Sequence, residues 1–182
     1  MNIKDDAMNV FLKSLLVATL FLFTTSANAL IIEISETFDF SGLVITAEDA
    51  DNDGLVMLTD PIGDWIVNVV TGVSAPLIGD EYTDEIDLNS VNVSGAAGTL
   101  YIRLTDTDFA RGDTSYTAWF GGTTSGSVSF QSYADVTNTP FGQGILLSDS
   151  GWVTGAFSGE DSGGISLSDP YSLSIYATIT HP

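Results

Sequence analysis

Short runs of alternating apolar and polar residues are the feature that most restricts what this chain can fold into. In residues 100–104, Leu100, Ile102 and Leu104 alternate with Tyr and Arg, and residues 173–179 repeat the pattern with Ser and Thr in between. A period of two turns one face of an extended strand towards a core and the other towards water. No stretch after residue 30 keeps the apolar spacing of a helix over three turns. The chain after residue 30 is therefore predicted to be built from strands.

These runs recur along the whole chain, and Gly, Asp, Asn, Ser or Pro separates most of them. The alternation predicts strands at residues 32–35, 42–48, 54–59, 65–71, 86–94, 100–105, 114–120, 126–133, 144–148, 152–158 and 173–179. About ten short strands joined by polar turns predict an all-β fold, an antiparallel β-sandwich that is jelly-roll-like.

The first 29 residues have the pattern of a secretory signal peptide. The apolar run at residues 15–23 is too short to span a bilayer, and it is followed by small residues that end in Ala27-Asn28-Ala29. An A-x-A site after such a run is typical of signal cleavage. We therefore expect residues 1–29 to be removed, leaving residues 30–182 as a single β-sandwich domain outside the cytoplasm.

The composition excludes several classes of chemistry. The chain has no cysteine, both lysines (Lys4 and Lys13) lie in the leader, and the one histidine is His181. Cysteine nucleophiles, Schiff-base lysines and zinc sites of the usual ligands are therefore excluded, and a serine or threonine nucleophile lacks a well-placed base. The net charge of −20 repels nucleic acid and anionic membranes. We expect a protein that is not an enzyme and has no nucleic-acid or membrane partner after signal cleavage.

One acidic segment has the spacing of a calcium-binding loop. Across residues 49–60, Asp49, Asp51 and Asp53 occupy positions 1, 3 and 5, Gly54 position 6 and Asp60 position 12. Alternate carboxylates let oxygen ligands converge on a hard cation, so these four aspartates are the predicted calcium ligands. However, the flanks are typical of strands rather than helices, and Asp53-Gly54 also favours the tight turn of a plain β-hairpin. Both interpretations stay open on sequence alone.

Aromatic residues and paired acids suggest two further functions. Tyr101, Trp119, Trp152 and Tyr176 are candidates for a flat platform on which sugar rings would stack, as in a carbohydrate-binding module. Two carboxylates in a groove would instead suit a glycan-cleaving enzyme. Because 24 acidic residues guarantee many close pairs, the acids alone do not indicate catalysis.

Several segments resemble a group of uncharacterised secreted bacterial proteins that commonly carry a PEP-CTERM surface-sorting tail. The resembling segments are residues 63–72, 87–93, 98–106, 121–123, 133–138 and 171–181. The resemblance implies a β-rich exported domain at the cell surface or in the exopolysaccharide matrix of a Gram-negative bacterium. The chain departs from that group because it ends at His181-Pro182 without a Pro-Glu-Pro motif.

Together these features predict a non-catalytic, secreted or cell-surface β-sandwich with a structural, adhesive or extracellular-matrix role. Its expected partners are exopolysaccharide or further copies of the same chain. The apolar residues 30–38 suggest self-assembly, because such a strand can complete a neighbour's sheet.

Overall fold

The structure is a computed structural model that describes residues 30–95, 97–112 and 115–182. The predicted signal peptide therefore lies outside the described residues. The described part of the chain consists of strands, turns and loops, and all strand pairs are antiparallel. The strands are β1 (Ile31–Ser35), β2 (Val44–Glu48), β3 (Leu55–Leu58), β4 (Trp65–Val73), β5 (Asp87–Gly95), β6 (Gly98–Phe109), β7 (Ser115–Asp135), β8 (Ile145–Asp149), β9 (Val153–Gly164) and β10 (Tyr171–His181). The all-β prediction with about ten strands is confirmed.

The strands form two sheets. Seven strands form the larger sheet, in the order β2-β1-β6-β10-β7-β8, with β9 also paired to β7. The smaller sheet has the order β3-β4-β5. This arrangement is consistent with a two-sheet sandwich, and it does not confirm the jelly-roll topology. Strand β1 lies inside the larger sheet, where all five of its residues pair with both β2 and β6.

Aliphatic side chains from both sheets meet in the main core. Ile32 and Leu104 of the larger sheet and Val56 and Val70 of the smaller sheet are at most 3% exposed. The sheets approach closely at Gly72, where a Cβ would overlap Leu104 Cδ1 and lie 2.9 Å from Val56 Cγ1. A side chain at this position would therefore push the two sheets apart. Along residues 100–104 of β6, buried aliphatic side chains alternate with half-buried Tyr and Arg, so the period-two pattern reflects the two faces of the larger sheet.

Strand β7 differs from the prediction of two strands with a break at Gly121-Gly122. It continues through both glycines, and residues 115–124 pair with β9. Its pairing with β10 begins only at Ser127, so the first half of β7 and β9 form a two-stranded ribbon beyond the end of β10. In the ribbon, the ring of Phe120 lies over Gly159 and that of Phe157 over Gly122. Rings that cover cross-strand glycines replace the packing the glycines lack, which lets the strand continue.

Among the described residues, no helix has the length and apolar composition needed to span a membrane.

Candidate functional site

The acidic segment lies in the loop between β2 and β3, which carries the chain from the larger sheet to the smaller one. Strand β2 ends at Glu48 in the larger sheet, and β3 begins at Leu55 in the smaller one. Between them, one carboxylate oxygen from each of Asp49, Asp51 and Asp53 lies within 4.8 Å of the others. The fold thus brings together three of the four ligands predicted from the sequence spacing.

Backbone hydrogen bonds fix the first of these carboxylates. Asp49 Oδ2 accepts a hydrogen bond of 2.8 Å from the backbone N–H of Gly54, and its Oδ1 accepts one of 3.3 Å from that of Asp53. The backbone N–H of Asp49 donates to the carbonyl of Leu30, at 3.0 Å. Asp49 is only 9% exposed, so the loop is tied to the protein at this residue. Asp51 and Asp53 face solvent.

The two neighbouring acids perturb Asp51. A hydrogen bond with the side chain of Asp49, followed by repulsion from Asp53, raises the pKa of the Asp51 carboxyl above its usual range. A raised pKa in a carboxylate cluster means that concentrated negative charge opposes ionisation. A bound cation would relieve the same repulsion.

The fourth predicted ligand, Asp60, is not part of this group. After Gly54 the chain extends as β3, and Asp60 follows the far end of that strand, roughly 20 Å of extended chain away. The twelve-residue helical loop that the spacing imitates does not form, because a strand replaces the second flank. The plain hairpin interpretation was wrong. β2 pairs with β1 and β3 pairs with β4, so the turn carries the chain from one sheet to the other.

Three carboxylates in this arrangement suit a hard cation. Calcium takes six to eight oxygen ligands in flexible geometry, whereas magnesium demands a tighter octahedron. The remaining oxygens would come from backbone carbonyls and water, since the described residues place no fourth carboxylate, histidine or cysteine in the group.

A buried acid near this loop was not predicted from the sequence. Asp106 is 1% exposed, and Oδ1 accepts a hydrogen bond of 2.8 Å from the Thr107 backbone N–H. Burial raises the pKa of Asp106, the hydrogen bonds of Ser74 and Thr107 oppose that rise, and the negative charge of Asp49 adds to it. The alternating pattern of β6 did mark position 106 as inward, in register with Leu104. This inward position of an acidic residue is the sequence feature that could have predicted its burial.

The four candidate sugar-binding rings do not share one exposed surface. Trp119 and Trp152 are 72% and 61% exposed. Tyr101 and Tyr176 are half-buried: the ring of Phe38 packs edge-on against Tyr101, and Tyr176 donates a hydrogen bond of 2.6 Å to the carbonyl of Phe141. Two of the four rings therefore serve packing.

The single histidine also has a packing role. Its ring centroid lies 4.7 Å from that of the buried Trp65, and its backbone pairs with Gly98 at the end of β10. His181 thus lies within a sheet rather than on a frayed terminus, where it helps to cover the core.

A row of side chains crosses the outer face of the larger sheet. Cross-strand pairing aligns six residues on six neighbouring strands, namely Thr46, Glu33, Arg103, Tyr176, Gln131 and Asp149. At its centre Arg103 Nε donates to Glu33 Oε2 at 2.7 Å. The other arginine, Arg111, pairs with Asp84 at 2.7 Å.

Two phenylalanines from different loops lie against Arg103. The guanidinium carbon is 3.9 Å from the ring centroid of Phe40 and 4.0 Å from that of Phe141. Both phenylalanines have positive φ, at 52° and 57°, which costs roughly 1–2 kcal/mol for a residue with a side chain. Cation–π contact with a partly desolvated arginine stabilises by a similar free energy, about 1–2 kcal/mol per ring, and so offsets this strain.

The fold and the site define a class of protein: an all-β chain of two antiparallel sheets whose connecting loop gathers three aspartates. Comparison with models of known protein families, with curated proteins and with solved structures finds no match to this chain. Its function must therefore be argued from its own residues.

Proposed function

We propose that this chain is a non-catalytic extracellular or cell-surface protein with a structural, adhesive or matrix role, and that calcium bound by Asp49, Asp51 and Asp53 stabilises it. The observation that carries the proposal is the position of the three-aspartate group at the connection between the sheets. A cation held there would fasten the end of β2 to the start of β3.

The charge distribution favours cation binding. The chain carries a net charge of −20, and its two arginines in the described residues are already paired, with Glu33 and Asp84. Within residues 30–182 as far as they are described, the aspartate group therefore has no unpaired lysine or arginine side chain to neutralise it. With no cysteine to form disulfides, a metal is an available means of stabilising an exported domain of this size.

Calorimetric titration of the purified protein with calcium tests this proposal. We expect one calcium per chain with a dissociation constant of about 0.1–1 mM, the range of extracellular calcium modules. Asp53→Asn should weaken binding by about tenfold or more, because it removes one of three carboxylates. Asp60→Asn is the matched control, since it removes the same charge from outside the group, and it should bind within about twofold of the parent protein.

Two outcomes would contradict the proposal. One is the absence of saturable calcium binding in the parent protein. The other is equal weakening by Asp60→Asn and Asp53→Asn, because calcium would then respond only to net charge.

Exposure of Trp119 and Trp152 supports carbohydrate binding as a second candidate function. Trp119 pairs with Glu160 of β9, and Trp152 immediately precedes that strand, so roughly 27 Å of extended chain separates Trp152 from the partner of Trp119. They would contact different parts of a long polysaccharide rather than one sugar. Quenching of tryptophan fluorescence by soluble exopolysaccharide, lost in both Trp119→Ala and Trp152→Ala, is the expected result.

Self-association through β1 remains a prediction, but it now requires strand exchange rather than simple addition of β1 to a neighbour's sheet. Because β1 pairs on both edges within its own chain, one copy can accept this strand from another only by exchanging its own. Light scattering at rising protein concentration tests it, and a constant monomer mass would contradict it.

A further inference from the structure

One loop crosses the outer face of the larger sheet next to Arg103. Residues 37–42, called the lid from here on, connect β1 to β2. Five of the six lid residues are exposed, and Phe40 is the exception. The lid thus touches the sheet mainly through one side chain.

Two phenylalanines of the lid cover two consecutive outward residues of β6. Phe38 packs edge-on against Tyr101 with ring centroids 5.7 Å apart, and Phe40 lies on Arg103. The two contacts differ in burial, since Phe38 remains 78% exposed while Phe40 is half-buried. Phe40 therefore makes the principal attachment.

The hydrogen bonds of the lid are local. Phe40 N–H donates to the Thr37 carbonyl, Gly42 N–H to Thr37 Oγ1 and Ser41 N–H to Asp39 Oδ1. At the base, Thr37 N–H donates to Ser35 Oγ. These bonds stabilise the shape of the lid and would survive if it swung away from the sheet.

The loop on the other side of Arg103 is attached differently. Phe141 N–H donates to Thr105 Oγ1 at 3.0 Å, and its carbonyl accepts the Tyr176 hydroxyl. Glu33 holds the guanidinium from a third direction. Arg103 and Phe141 thus form a fixed surface, and Phe40 is the part of the arrangement attached by ring contact alone.

We propose that residues 37–42 are a lid latched to the sheet by the contact of Phe40 with Arg103, and that the lid opens as one unit to uncover Arg103 and Tyr101. Because its internal hydrogen bonds are kept and Phe38 is largely exposed, opening costs chiefly the contact of Phe40 with Arg103. The inference does not depend on calcium binding or on the carbohydrate candidate.

Chemical modification of arginine measures this opening. Phenylglyoxal reacts with exposed guanidinium groups, and Arg103 and Arg111 are the two arginines of the chain, so Arg111 serves as an internal reference. Peptide mass spectrometry gives the rate at each site. Phe40→Ala should raise the Arg103 rate about tenfold and leave the Arg111 rate unchanged, since a partly desolvated cation–π contact is lost.

Two further variants separate the latch from general loosening. Phe38→Ala removes a ring from the same lid without touching Arg103, and it should leave the Arg103 rate within about twofold of the parent value. Phe40→Leu keeps an apolar side chain but loses the π face, and it should behave like Phe40→Ala. Amide hydrogen exchange at Gly42 should be unchanged in Phe40→Ala, because the hydrogen bond of this amide to Thr37 is kept when the lid opens.

Three results would overturn the proposal. The first is an unchanged Arg103 rate in Phe40→Ala or Phe40→Leu. The second is an equal increase in Phe38→Ala. The third is a parallel increase at Arg111, because the substitution would then have loosened the whole protein.

Discussion

Replacing Gly72 with alanine probes the contact between the two sheets. Gly72 lies in β4, and a Cβ there would overlap Leu104 Cδ1 of the opposite sheet and come within 2.9 Å of Val56 Cγ1. Leu104 is fully buried and Val56 is 3% exposed, so neither methyl group has free space to move into. Overpacking of this kind costs about 1–3 kcal/mol.

A second effect opposes this loss. The φ of Gly72 is not positive, so alanine fits the backbone and stabilises by about 0.4–1 kcal/mol through the unfolded state. The net destabilisation lies between about 0 and 2.6 kcal/mol, and its central value of about 1.3 kcal/mol corresponds to a melting midpoint about 3–5 °C lower for a domain of this size. Thermal unfolding followed by circular dichroism measures the shift.

Gly121→Ala is the matched control for this substitution. Gly121 also lies in a strand with non-positive φ, and its Cβ would meet nothing closer than the Phe157 carbonyl oxygen at 3.4 Å. We expect the control to melt at or slightly above the parent temperature. Combining Leu104→Ala with Gly72→Ala should cost less than the sum of the single changes, because the smaller side chain makes room. A Gly72→Ala midpoint equal to that of Gly121→Ala would refute the inter-sheet packing.

Two other predictions follow from burial. Since the pKa of Asp106 in the folded state is raised above 3.8, its contribution to stability falls as pH rises from 3.8 through the folded-state pKa. With a chelator present, the free energy of unfolding of Asp106→Asn at pH 7 should exceed that of the parent by about 1.4 kcal/mol per unit of pKa difference. This difference should disappear near pH 3.5. A difference that does not change with pH would contradict the prediction. In the ribbon, Phe120→Ala should lower stability by about 1–3 kcal/mol because it uncovers Gly159, while Trp119→Ala on the exposed face should stay within about 0.5 kcal/mol, as denaturant titration will show.

Local pattern was enough to predict the strands whose two faces differ. Strands β1, β6 and β10 alternate apolar and polar residues, because each lies in the middle of a sheet with one face on the core. The pattern failed at Gly121-Gly122, where glycines indicated a turn. The strand continues there because Phe157 supplies packing from the neighbouring strand, and this contact is not local in sequence.

The aspartate spacing predicted which side chains form the candidate site, but it did not predict the strands around that site. Alternate positions brought Asp49, Asp51 and Asp53 together, as expected for three residues in a tight loop. The place of Asp60 and the passage from one sheet to the other depend on which strands pair, and local spacing carries no information about pairing. The contacts of Phe40 and Phe141 with Arg103 were unpredictable for the same reason, since they join three separate segments.

The most direct test of a calcium-stabilised sandwich is the thermal unfolding midpoint in 1 mM calcium compared with EGTA. With a dissociation constant of about 0.1 mM, calcium adds about 1.4 kcal/mol of stability. For a domain of this size that raises the midpoint by about 3–6 °C. We expect this rise in the parent protein and in Asp60→Asn, and its loss in Asp53→Asn. A parent midpoint that is the same in calcium and in EGTA would contradict it.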